Sequence, residues 1–118
     1  MATYNDTSSL DVNPGALHHI VISPDTATVT AGGTQTYSAQ SFDQFNNVIA
    51  DVTGSTLFTI TSGAGGGWNG SIYTSAVAGA WTITGTYISL TDTASLTVNP
   101  GALHHIVISP DAATVTAG

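Results

Sequence analysis

The sequence predicts an all-β fold of two packed antiparallel sheets, and three observations carry that expectation. Apolar and polar residues alternate with period two, turn-forming residues punctuate the alternation, and no window places apolar residues at helical spacing. In Trp81-Thr82-Ile83-Thr84-Gly85-Thr86-Tyr87 the large residues share one face and three threonines the other, as in a strand with one face buried and one in water.

Taken in order, the first strand is expected near 17–23, where Ile20-Val21-Ile22 is stopped by Pro24-Asp25. Ala27-Thr28-Val29-Thr30-Ala31 alternates within a second strand at 26–31, closed by Gly32-Gly33. A third at 34–42 carries Tyr37 inward, and Asn46-Asn47 turns the chain into a fourth at 47–52. The fifth, 55–61, presents Phe58 and Ile60 to the core and ends at the Gly63-to-Gly67 stretch, which reads as a hairpin connection. Asn69-Gly70 then introduces strands at 71–75, 79–88 and 91–98, the last with Ala94, Leu96 and Val98 pointing in and Asn99-Pro100-Gly101 ending it. Seven to eight short antiparallel strands in a unit of this size predict an immunoglobulin-like β-sandwich, with Trp81, Ile83, Tyr87, Leu96, Phe58, Ile60 and Tyr37 between the sheets.

The chain also repeats itself. Residues 6–32 return at 92–118, shifted by 86 positions, with three differences: Ser8 against Ala94, Asp11 against Thr97 and Thr26 against Ala112. A period of 86 residues suits a small domain with its own core better than a solenoid turn or propeller blade. The sequence therefore divides into 1–15, the last strand of a preceding repeat plus linker, 16–99, a complete module, and 100–118, a linker and the first strands of a following repeat. The expected partners are neighbouring copies, head to tail, through Asn13, Pro14, Gly15, His18 and His19 at one junction and Asn99, Pro100, Gly101, His104 and His105 at the other.

Composition narrows the function classes. There are seven Asp and neither Lys nor Arg, and charged residues are 6% of the chain against roughly 25% in ordinary globular domains. Nucleic-acid binding needs cations to neutralise phosphate, so no nucleic-acid partner is expected, and an anionic membrane surface is disfavoured likewise. The longest aliphatic run, Ile20-Val21-Ile22, falls far short of the roughly 20 apolar residues of a spanning helix, so no membrane insertion is expected. There is no cysteine and thus no thiolate metal site. More than a quarter of the residues are Ser or Thr, and Asn5 and Asn69 open glycosylation sequons, which leans toward an extracellular or cell-surface setting. Trypsin-like proteases find no preferred cleavage site, an advantage in that setting.

Thr30-Ala31-Gly32-Gly33-Thr34-Gln35-Thr36-Tyr37, Asp43-Gln44-Phe45-Asn46-Asn47 and Thr74-Ser75-Ala76-Val77-Ala78-Gly79-Ala80-Trp81-Thr82-Ile83-Thr84 resemble the bacterial immunoglobulin-like repeats of invasin and intimin type. In that family a glycine commonly stands where this chain has Asn46, and Asn tolerates the left-handed backbone such a turn needs. The resemblance implies a surface or secreted protein whose modules act as stalk, spacer or adhesin, and it implies no ligand for this repeat.

Asp11, Asp25, Asp43 and Asp51 could offer oxygens to calcium, but they are scattered singly and no D-x-D-x-D-G loop occurs, so turn capping by Asp25, Asp43 and Asp51 is the stronger expectation. No cofactor is expected, with calcium the ion those aspartates would take. His18-His19 and His104-His105, read as strand neighbours, should point to opposite faces and be unable to grip one ion together. Trp68 either packs over the sandwich or stacks on a sugar, and the packed role is favoured. No G-x-S-x-G elbow or carboxylate pair suggests catalysis. The expected function is a non-catalytic structural module of an extracellular or surface fibre, stalk or adhesin. The alternatives are a subunit polymerising into filaments by strand exchange at its ends, and a glycan- or receptor-binding module using Trp68 or Phe45.

Overall fold

The computed structural model describes residues 7–109 and 114–117. It is all-β, with ten strands and one short 3-10 turn: β1 (His19–Ser23), β2 (Thr26–Thr30), β3 (Thr34–Thr36), β4 (Ser38–Phe42), β5 (Val48–Asp51), the turn Thr53–Ser55, β6 (Leu57–Ile60), β7 (Gly67–Asn69), β8 (Ile72–Thr74), β9 (Gly79–Tyr87) and β10 (Leu90–Asn99). One four-stranded sheet has the order β2-β10-β9-β6. Across from it lie two three-stranded pieces, β1-β4-β5 and β3-β8-β7, joined through the consecutive strands β3 and β4.

The long strand expected at 34–42 is thus two, broken at Tyr37, because its first part pairs with β8 and its second with β1 and β5. Eight expected strands become ten for that reason and because β7 starts at the last glycine of the glycine-rich stretch, paired antiparallel with β8. One pairing also departs from the antiparallel expectation. After β1 the chain passes a cis Ser23-Pro24 bond and crosses to the other sheet, where β2 runs parallel to β10 from Thr26↔Ser95 to Thr30↔Asn99. The crossing lets one N-terminal segment pair in both sheets, first with β4 and then with β10.

Alternation puts Ala94, Leu96 and Val98 of β10 into the core, at 4%, 0% and 2% exposure. They meet Ile20, Ile22, Tyr37, Ala39, Val52, Phe58, Tyr73 and Ile83, and Ile60, Trp81 and Tyr87 pack partly buried around them. Of the core residues expected from sequence, Tyr37, Phe58, Ile83 and Leu96 are fully inside. Gly85 is required by this packing, since a Cβ there would stand 2.6 Å from Ile22 Cγ2. Residues 7–18 and 101–109 contain no strand and are exposed. Residues 1–6 of the expected N-terminal strand lie outside the described residues.

Candidate functional site

The feature with the most convergent polar chemistry is where the chain enters β1. Asp43 closes β4, and its buried carboxylate receives four hydrogen bonds. Oδ1 accepts from the N–H groups of Phe45 and Asn47 at 2.9 and 2.8 Å. Oδ2 accepts from Asn47 Nδ2 at 3.0 Å and from the Gly15 N–H at 2.8 Å. The bonds within 43–47 make the loop an Asx-type turn, and Asn46 adopts the left-handed backbone, φ 65°, as its sequence position predicts. The bond to Gly15 is different in kind, because it fastens the linker to a loop 28 residues away.

These donors favour the anion, so the Asp43 carboxyl is held well below the usual carboxylate range, with the Gly15 N–H as the largest cause and the Asn47 side chain next. With both oxygens engaged by donors, Asp43 serves as a structural anion in this conformation and has little left to offer a cation. The His18 N–H continues the docking by donating to Phe42 O at 2.8 Å, and the His19 ring stacks on Phe42 with centroids 5.3 Å apart. Between linker and loop lies a pocket of about 240 Å³, lined by Gly15 to His18 and Asp43 to Phe45. Phe45 stands over it, 73% exposed.

At the other end of the unit, the Ala31 N–H donates to Asn99 O at 2.8 Å, and a Cβ on Gly101 would lie 3.4 Å from Ala31 O. The two ends are separated by the ten residues of β10, about 30 Å at roughly 3.3 Å per residue. Gly15, His18, His19 and Asp43 thus gather at one end and Asn99 with Gly101 at the other. Asn13, Pro14, Pro100, His104 and His105 are exposed along the flanks.

The other candidates are dispersed. Asp51 Oδ1 accepts from Thr53 Oγ1 and the Thr53 N–H, which lowers its pKa, the side-chain bond being the larger cause. Asp25 contributes its backbone carbonyl to the Ser95 N–H, and Asp11 is exposed in the N-terminal flank. Among the described residues no three His, Cys, Asp or Glu side chains are grouped to hold a metal. Asn69 is exposed in β7, and Asn5 lies outside the described residues. Trp68 takes its packed role, stacked on Phe58 at 5.8 Å and tilted against Tyr73 at 5.0 Å, with Nε1 buried.

Two polar roles escaped the sequence reading. Asp92 Oδ2 accepts from the Ile22 N–H at 2.9 Å, tying β1 to β10 across 70 positions, and the Tyr73 hydroxyl donates to Gly65 O at 2.6 Å, anchoring the glycine-rich loop. A polar residue at an inward or half-buried strand position is the signal that marks both. One expectation was wrong in its reason: His18 precedes β1 and is not a strand residue, so the strand alternation does not separate it from His19. Their Nδ1 atoms lie 3.0 Å apart.

No protein-family model and no curated protein sequence matches the chain. Among solved structures it is similar to the S-layer protein SbsC, domains 4 and 5, at 20% identity and TM-score 0.46, covering 74% of this chain and 54% of that one. Domains 1–6 of the same surface-layer protein match at 20% identity and TM-score 0.46, over 81% of this chain and 14% of that one. Domains 5–6 match at 21% identity and TM-score 0.46, over 73% and 45%. The chain therefore spans about half the length, or less, of these structures. Among the described residues no helix is long and apolar enough to cross a membrane.

Proposed function

We propose that this chain is a non-catalytic structural repeat of an extracellular or cell-surface fibre, stalk or adhesin, acting as spacer and assembly unit with residues 16–99 as the module. One observation carries the reading: the 27-residue repeat begins inside β10, runs through the linker and ends just beyond β2, so it joins the last strand of one unit to the first strands of the next. Asp43 gives the linker a fixed departure, because Gly15 is bound to the body of the module before β1 begins. The proline preceding it restricts the backbone further. The threonine-rich strands, the lack of Lys and Arg, and the resemblance to invasin- and intimin-type repeats are in line with an external, durable spacer. The test is immunogold labelling of intact producing cells with an antibody to residues 16–99. Label on projecting material outside the envelope is the expected result, and label reached only after lysis would overturn the reading.

A second reading, filament formation by strand exchange, is favoured by a separate observation. Gly101–Ser109 repeats Gly15–Ser23 residue for residue, yet Ile106 and Ile108 are 78% and 74% exposed where Ile20 and Ile22 are 3% and 1%. Any slot that accepts β1 accepts this segment from another copy, through the same edge hydrogen bonds. Light scattering and negative-stain images of the 118-residue chain decide between the two. Filaments lost in an Ile106→Asp, Ile108→Asp variant support exchange, and a monomer at all concentrations removes it.

A further inference from the structure

We propose that the vicinal pair His18 and His19 binds a borderline transition-metal ion through its two Nδ1 atoms, divalent copper most tightly, and that His104 and His105 form a second such dyad. The geometry is the same at both places: Nδ1 atoms 3.0 and 2.9 Å apart, ring centroids 5.2 Å apart and ring planes at 90° and 89°. Two neutral imidazoles so placed can share only one proton between those nitrogens, which leaves the contact replaceable by a cation.

Distance decides which ion fits. Two nitrogens at about 2.0 Å from a metal stand about 2.8 Å apart in a square-planar cis arrangement and about 3.3 Å apart in a tetrahedral one. The observed separations fall between, nearer the former, so the two nitrogens already stand at the spacing that a cis pair of ligands needs. Imidazole donors suit copper, nickel and zinc, and affinity at a given site peaks at copper. Calcium, which wants six to eight oxygens, is not a guest for this pair.

The first dyad is the better organised. Its backbone is held by the His18 N–H bond to Phe42 O, and the His19 ring is stacked on Phe42 at an interplanar angle of 7°. His18 is exposed, so the ion can enter from solvent and keep water at its remaining positions. The exposed second dyad has the same sequence context, Gly-Ala-Leu-His-His-Ile, and shows that the ring arrangement is a local property of that context. The inference is independent of the spacer reading, although in an array it would place one ion at each junction.

Calorimetric titration of the full chain with copper(II), nickel(II) and zinc(II) at neutral pH tests it, with paramagnetic resonance of the copper form. The expected result is two more copper ions per chain than in the His18→Asn, His104→Asn double variant. One ion should be lost in each single variant, copper should bind at least tenfold tighter than zinc, and imidazole nitrogen splitting should appear in the spectrum. His18 and His104 are chosen because both side chains are exposed, and circular dichroism confirms that the variants stay folded. Equal copper stoichiometry in parent and double variant, or spectra without nitrogen splitting, would overturn the proposal.

Discussion

Asp43 accepts hydrogen bonds from Gly15, Phe45 and twice from Asn47, and every one of them favours its ionised form. A folded-state pKa lowered from 3.8 contributes stability that is present above that value and is lost as pH falls below it toward the folded pKa. Urea denaturation should therefore show a midpoint that drops below about pH 4, and Asp43→Asn should lower the midpoint at neutral pH while flattening the acid limb. An acid limb unchanged in that variant would assign the pH dependence elsewhere. Tyr37 has the opposite sign. Its ring is in the core, its hydroxyl has no partner, and burial pushes the phenol up to about 12. Burial favours the neutral form, so stability should fall as pH rises from 10 through about 12, where the buried phenol is forced to ionise. Tyr37→Phe keeps the ring and removes an unsatisfied polar atom, so its stability should equal or exceed the parent's by up to ~1 kcal/mol. Ultraviolet titration should lose the latest-ionising tyrosine in that variant.

At the scale of elements, the packing of β1 onto β9 depends on one missing side chain. Gly85→Ala would press a methyl against Ile22 Cγ2 at 2.6 Å and Thr56 Cγ2 at 3.3 Å, so it should destabilise by about 1–3 kcal/mol in equilibrium unfolding. A neutral result would mean that β1 is free to move away from the sheet. Alternation made β9 and β10 legible in the sequence, because each has one face in the core and one in water. It could not reveal β7, whose three residues Gly67-Trp68-Asn69 are too few to alternate and are a strand only because Tyr73 and its neighbours lie alongside. Nor could it split 34–42 at Tyr37, since both halves look alike and differ only in their partners. The junction was half legible. Gly15 and His18 were marked by the repeat and Asp43 by its turn, but the bond that unites them spans 28 residues and follows from the fold. The meeting of His18 and His19 was hidden by extending β1 two residues too far.

For the whole molecule, the decisive relation is that β2 and β10 run parallel, with five residues of each in register. The chain enters beside Phe42 and leaves at Asn99, at opposite ends of the sandwich. Tension along an array would therefore draw β2 one way and β10 the other along their shared axis. The hydrogen bonds between them lie across that pull and would be loaded together, in shear. Pulling instead through Gly79 and Val98, which face each other at one end of the β9–β10 pair, would unzip that ladder a bond at a time. Single-molecule stretching through His19 and Asn99 should thus require markedly higher force than stretching through Gly79 and Val98, and equal forces would show that the ladder bears no load. Because the crossing lets the first segment serve two sheets, a pull on the two ends of residues 16–99 is met by the whole parallel ladder at once, as a bolt is loaded across its shank and not along its thread.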